Sequence, residues 1–227
     1  KISVLLQQKK DIYKSFNSKK IMKKLILSAA IMLASVGAYA QHAVGSINLQ
    51  PKIGMNVAML TDADKADPRI GLAAGLEAEY QATDLLSISA GVMYSMQGNK
   101  YNWSYDKYSA TVTNKLDYVN IPIMANVYVV PGLAVKLGIQ PAFLVNDKAT
   151  SKVDTGNDNI NDLINKNLPK GKLNAKSFDF SIPVGISYEY ANFQIDARYN
   201  LGVTNAFDYG KSKNSVFQLT LGYKFDL

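Results

Sequence analysis

The 227-residue sequence contains no cysteine, one histidine and one tryptophan. The lack of cysteine excludes a disulfide framework, a thiolate metal site and a cysteine nucleophile. The single histidine matters as much. Histidine is the side chain that takes and returns a proton near neutral pH, and outer-membrane acyltransferase, deacylase and protease barrels generally depend on one. His42 stands before the first regular segment and reads as part of an unstructured tail, so no catalytic residue is expected. There is no phosphate loop: Gly71, Gly75 and Gly91 fall inside alternating segments, and the sequence implies no cofactor and no metal site. A long apolar run is missing too. Leu25–Val36 falls short of the roughly 20 residues a permanent spanning helix needs.

Positive charge is scarce where it would matter for nucleic acid. The formal net charge is +7, but residues 1–40 hold eight lysines against Asp11, which is the whole surplus. The remainder carries 17 basic and 17 acidic side chains, so no nucleic-acid partner is expected. The basic segment has the form of a leader. Met22-Lys23-Lys24 makes a positive n-region, Leu25–Val36 an apolar core and Ala38-Tyr39-Ala40 a small-residue cleavage site. We therefore expect an upstream extension over 1–21, foreign to the native protein, a signal peptide over 22–40, and a mature domain over 41–227 that begins at Gln41.

Strict alternation dominates that domain. In Ser215–Leu227, Phe217, Leu219, Leu221, Tyr223, Phe225 and Leu227 fall on one parity, with Gln218, Thr220, Gly222, Lys224 and Asp226 on the other. A period of two marks a β-strand, whose successive side chains point to opposite faces. The same pattern recurs over Gly45–Leu60, Ile70–Gln81, Leu86–Gln97, Tyr118–Val129, Leu133–Phe143, Phe178–Tyr190 and Phe193–Thr204. That makes eight strands, and the connections between them alternate long and short. Lipid offers no partners to backbone N–H and C=O groups, so a spanning sheet must close on itself. Even strand number, short turns at one end and long loops at the other are properties of outer-membrane barrels.

The expected fold is all-β, an eight-stranded antiparallel up-and-down transmembrane barrel. Tyr80, Tyr188, Tyr190, Phe193, Tyr223 and Phe225 would form one aromatic rim, and Tyr94, Phe143, Phe178, Phe180 and Phe217 the other. A soluble sandwich or lipocalin-like barrel would turn the apolar parity inward instead. The many small Gly, Ala and Ser residues on the polar parity speak against that arrangement.

Leu116-Asp117-Tyr118-Val119-Asn120-Ile121-Pro122 resembles the Y-[LV]-x-[IL]-P strand of the PorT-type outer-membrane β-barrel proteins. Ser87–Gly98, Phe178–Tyr190 and Asp196-Ala197-Arg198-Tyr199 with Gly202 resemble other strands of that family, and the likeness covers most of 43–227. It implies a small outer-membrane barrel. Many members have no assigned activity, and the best-known one serves a secretion system. The terminal Tyr223, Phe225 and Leu227 resemble the aromatic-ended signal read by the outer-membrane insertion machinery.

The candidate functional residues follow from the two faces. The polar parity supplies Lys52, Glu77, Glu79, Lys136, Asp179, Glu189, Asp196, Arg198 and Lys224. An eight-stranded barrel is just wide enough to be filled by side chains, and buried charges must pair or stay hydrated. The expected arrangement is a plug: Glu77 and Glu79 among Lys52, Lys136 and Arg198, with Asp196 beside Arg198. The alternative is a proton or ion path. Outside the barrel, Tyr101, Trp103, Tyr105 and Tyr108 form a candidate extracellular contact. Their alternation extends strands three and four as a hairpin that turns near Asp106-Lys107. Residues 145–176, with six lysines and four aspartates, read as a solvated, mobile loop in which 157–168 forms a short helix. The expected partners are outer-membrane lipids, lipopolysaccharide, the insertion machinery, and a protein or glycan at the loops. The expected role is non-enzymatic, structural or in surface interaction. A narrow pore, or an accessory subunit of a secretion system, is the alternative.

Overall fold

The computed structural model describes residues 42–227 except Lys107 and Pro169. The predicted leader and upstream extension lie outside the described residues. The chain forms β1 (Ile47–Leu60), β2 (Asp67–Gln81), β3 (Leu86–Tyr105), β4 (Tyr108–Asn120), β5 (Ile123–Val130) and β6 (Leu133–Asp154). Helix α1 (Asp158–Asn167) follows, then β7 (Phe178–Tyr190), β8 (Phe193–Gly202), β9 (Asn214–Tyr223) and β10 (Phe225–Asp226). Each crossing pairs antiparallel with the next, and β1 returns to β9 through Ile53↔Leu221, Met55↔Leu219 and Val57↔Phe217. The ring is closed. Among the described residues no helix is long and apolar enough to cross a membrane.

Prolines account for the ten strand segments in eight crossings. Pro122 separates β4 from β5, yet the register against β3 runs through unbroken, from Met93↔Asn120 to Ala90↔Ile123. Gly91 donates to the Pro122 carbonyl, and Pro122 has no N–H to return. Pro51 acts in the same way at the closure seam. The β1 register continues from Lys52↔Gly222 to Leu49↔Phe225, which sets Pro51 opposite Tyr223. The missing donor divides the predicted strand Ser215–Leu227 into β9 and β10.

The sidedness of the ring decides its environment. Ile53 is 60% exposed and Leu137 57%, whereas Lys136 and Arg198 are each 1% exposed. The apolar parity points outward on every crossing and the polar parity points in. In water a barrel is held together chiefly by removing apolar surface from solvent; this one presents that surface to its surroundings, as a barrel in lipid does. The soluble alternatives are thereby set aside. Aromatic residues gather at the turn end, where the Phe193 and Tyr223 rings lie 4.9 Å apart and those of Tyr223 and Phe225 4.7 Å apart. At the loop end Phe143 and Phe178 pack edge-on at 5.7 Å.

The loop end is more ordered than the sequence suggests. β6 runs on to Asp154, pairing with β4 from Lys115↔Lys148 to Ser109↔Asp154, so the predicted loop over 145–176 begins only after Asp154. The polar composition of both segments conceals the strand, because neither face there is apolar. The helix expected over 157–168 forms as α1, with the Asn157 side chain capping the N–H groups of Asn159 and Ile160. Leu60, Leu116, Tyr118, Ala142 and Ala206 make a buried apolar cluster against Leu173 and Phe207 from the long loops. Two loops thus fold inward over this end of the barrel.

Candidate functional site

Alternation places the charged residues of six crossings in the lumen, and there they form two separate networks. The larger one joins β1, β2, β6 and β8. Lys52 Nζ lies 2.6 Å from Glu77 Oε2 and 3.2 Å from Asp196 Oδ2, which Lys136 Nζ also meets at 2.7 Å. Arg198 bridges both carboxylates, with Nη1 2.6 Å from Glu77 Oε1 and Nη2 2.7 Å from Asp196 Oδ2. All five side chains are buried. Three cations here face two carboxylates.

The second network lies at the turn end and has the opposite balance. Lys224 Nζ lies 2.6 Å from Glu189 Oε2 and 3.1 Å from Glu79 Oε2. Glu79 also accepts from Ser87 Oγ at 2.5 Å, from Tyr128 Oη at 2.6 Å and from Gln50 Nε2 at 2.6 Å. One lysine faces two carboxylates, so the two networks together are neutral with His42 uncharged. A carboxylate with this many donors needs no mobile counter-ion.

These contacts depart from the expected arrangement in three places. Glu79 does not join Lys52, Lys136 and Arg198. Two residues further along the same face it has left their reach and partners Lys224 instead. Asp179 stands outside both networks; it accepts a 2.8 Å hydrogen bond from the Thr204 hydroxyl, because its position toward the loop end brings it to the loop rather than to the lumen cations. His42 is no free tail. Its Nε2 lies 2.9 Å from Glu189 Oε1 and its Nδ1 2.7 Å from Asp226 Oδ1, which ties the chain upstream of β1 to the last crossing. The hydrogen bond to Glu189 raises the affinity of the ring for its proton, against the opposing effect of burial.

Sequence reasoning missed a third contact. Arg69 Nη1 lies 2.8 Å from Asp117 Oδ1 and also donates to the Gln97 carbonyl, while Asn146 and Tyr94 donate to Asp117 Oδ2. Carrying the inward parity of β2 two residues back from Gly71 would have found Arg69. Nothing in the pattern marks Asp117, which is buried between buried Leu116 and Tyr118 where the register of β4 against β6 shifts.

The aromatic hairpin forms as the alternation predicts. Tyr105 pairs with Tyr108, Trp103 with Ala110 and Tyr101 with Val112. The Tyr101 and Trp103 rings stack with centroids 6.0 Å apart and planes 18° from parallel. Trp103, Tyr105 and Tyr108 are exposed on paired backbone.

Tyr223, Phe225 and Leu227 end the chain at the opposite rim, with Phe225 and Leu227 exposed. There the Lys224 N–H bonds the Asn192 carbonyl and the Leu227 N–H the Ile47 carbonyl. Among the described residues no group of histidines and carboxylates is arranged to hold a metal ion.

The chain is similar to several solved structures of very different sequence. The attachment invasion locus protein Ail of Yersinia pestis is 13% identical, the match covering 81% of this chain and 100% of Ail, with a TM-score of 0.46. Neisserial surface protein A is 11% identical over 79% of this chain and 97% of its own, with a TM-score of 0.41. The N-terminal barrel domain of Pseudomonas aeruginosa OprF is 12% identical over 81% and 100%, with a TM-score of 0.37. No curated protein matches the chain. A family model described as the outer membrane protein beta-barrel domain matches residues 39–208. The chain belongs to that family of outer-membrane β-barrel proteins.

Proposed function

We propose that this protein is a non-enzymatic, integral outer-membrane barrel that acts through the surface its long connections present to the cell exterior. The turn end then faces the periplasm, the signal peptide is removed after Ala40, and Tyr223, Phe225 and Leu227 serve the insertion machinery. The observation that carries this reading is the hairpin of β3 and β4. Three large aromatic side chains stand exposed on a hydrogen-bonded ribbon beyond the apolar belt. Exposed aromatics on a rigid support lose little entropy on contact, which suits them to a protein or glycan partner.

Replacing Tyr101, Trp103 and Tyr105 together with alanine tests it. Binding of the purified barrel to glycan arrays or host-matrix proteins should fall while the heat-resistant folded form persists; unchanged binding retires the hairpin as the contact.

The alternative is a narrow pore or, as the PorT-type resemblance implies, an accessory subunit of a secretion system. The filled lumen and the apolar cluster at the loop end favour a closed barrel over a pore. Steady single-channel conductance in planar bilayers, altered by changing Lys136 or Arg198, would overturn that reading.

A further inference from the structure

The 170–177 segment runs beside the end of β6 and leaves a cleft of about 850 Å³ between them. Lys148, Lys170 and Lys172 line it. Ala149 and Gly171 exchange two backbone hydrogen bonds of 2.8 and 3.2 Å, which sets Lys172 beside Lys148 and Lys170 beside Thr150. On the other edge of β6, Lys115 of β4 is directly opposite Lys148. Three neighbouring chain segments therefore place lysines in one row. Like charges directly opposed across a sheet destabilise it.

The acids of the cleft are already engaged. Asp147 accepts from the N–H groups of Leu173 at 2.9 Å and Ala175 at 3.1 Å, and Asp208 pairs with Lys176 at 3.6 Å. Among the described residues Lys115, Lys148, Lys170 and Lys172 make no ion pair. Height on the barrel identifies the anion. β6 and β7 part just above the Phe143–Phe178 ring pair, where the Leu144 N–H bonds the Ser177 carbonyl. Val145 and Ser177 then form the cleft wall. Girdles of aromatic residues flank the apolar band of an outer-membrane barrel at both interfaces, so the lysines just beyond this pair stand at the level of lipid headgroups.

We infer that this cleft binds the phosphoryl groups of an anionic glycolipid in the outer leaflet. Lysine ammonium groups suit that ligand as mobile point charges. The inference rests on the proposed orientation, with the long connections outside.

The test uses the full mature barrel in phosphatidylcholine vesicles containing diphosphoryl lipid A, with retained lipid quantified by mass spectrometry after extraction. Each lysine removed should weaken retention about fivefold, and the K148A/K170A/K172A variant roughly a hundredfold. Dephosphorylated lipid A should be held weakly by both proteins, and inorganic phosphate should not displace the lipid. Equal retention by the variant overturns the proposal. So does equal retention of the dephosphorylated lipid, or full displacement by phosphate. The three lysines are exposed, and the heat-resistant form reports directly that the variant has folded.

A second arm separates this inference from the orientation beneath it. With no native cysteine, Tyr209→Cys, on the β8–β9 loop outside the cleft and at a position 93% exposed, offers a single thiol to a membrane-impermeant maleimide on intact cells. Failure to label removes the orientation and both readings with it. Labelling without any lipid A difference removes this inference alone.

Discussion

His42 and Glu189, 147 positions apart in sequence, meet at 2.9 Å where the chain enters the barrel. Asp226 holds the other ring nitrogen, and Lys224 opposes protonation from the far side of Glu189. Because the folded histidine binds its proton more tightly than its ordinary value of 6.5, the contact contributes its full stability below that value. The contribution is lost as pH rises through the higher folded value. The thermal midpoint of the folded barrel in detergent should therefore decline from pH 6 toward alkaline pH. His42→Gln should flatten that decline without changing the alkaline limit, and parallel slopes for both proteins would count against the pairing.

Glu77 and Arg198 form one of the fully buried ion pairs of the lumen. Removing Glu77 leaves three cations to one carboxylate, and removing Arg198 takes from Glu77 and Asp196 the donor they share, each a loss of about 3–5 kcal/mol. Glu77→Gln and Arg198→Met should each lower the free energy of urea unfolding in vesicles by that order. The apolar double variant Glu77→Leu with Arg198→Met should lose less than the sum of the two singles. Additive losses would mean that the two residues act independently.

Gly54 lies at the closure seam, where a Cβ would overlap the backbone of Leu219 and Thr220. Gly54→Val should keep β1 from approaching β9. The expected result is a chain that migrates at the unfolded position before heating, while an outward change such as Val57→Leu migrates as the folded form.

Deleting Lys224–Leu227 removes β10 and, with Lys224, the lysine of the turn-end network. Assembly into the membrane should fail. Restoring the aromatic ending while replacing Lys224 with methionine separates the two causes, since it returns an insertion signal but leaves Glu79 and Glu189 without their lysine. A heat-resistant barrel from the full deletion would retire the assembly role of this segment.

The ring was legible because its physics is simple. Closing in lipid demands one apolar face on every crossing, and that demand is written in alternate residues from Ile47 to Phe225. Contacts set by distance along the lumen were not legible. Glu77 and Glu79 share a face, and only the geometry divides them between Arg198 and Lys224. The extension of β6 to Asp154 escaped for the opposite reason: outside the apolar belt neither face needs to be apolar, so Lys148, Thr150 and Lys152 read as loop. His42 looked unattached because its partners come from the far end of the chain.

The first lumen network joins Lys52, Glu77, Lys136, Asp196 and Arg198 from four crossings that are not all neighbours. A slip of one residue in any ladder would exchange the two faces of that strand, turning a lysine or an arginine into lipid and leaving its carboxylate alone inside. The backbone ladder itself is nearly indifferent to such a slip. The buried charges therefore act as a registration key: they fix the stagger of the strands, and with it the tilt and girth of the cylinder.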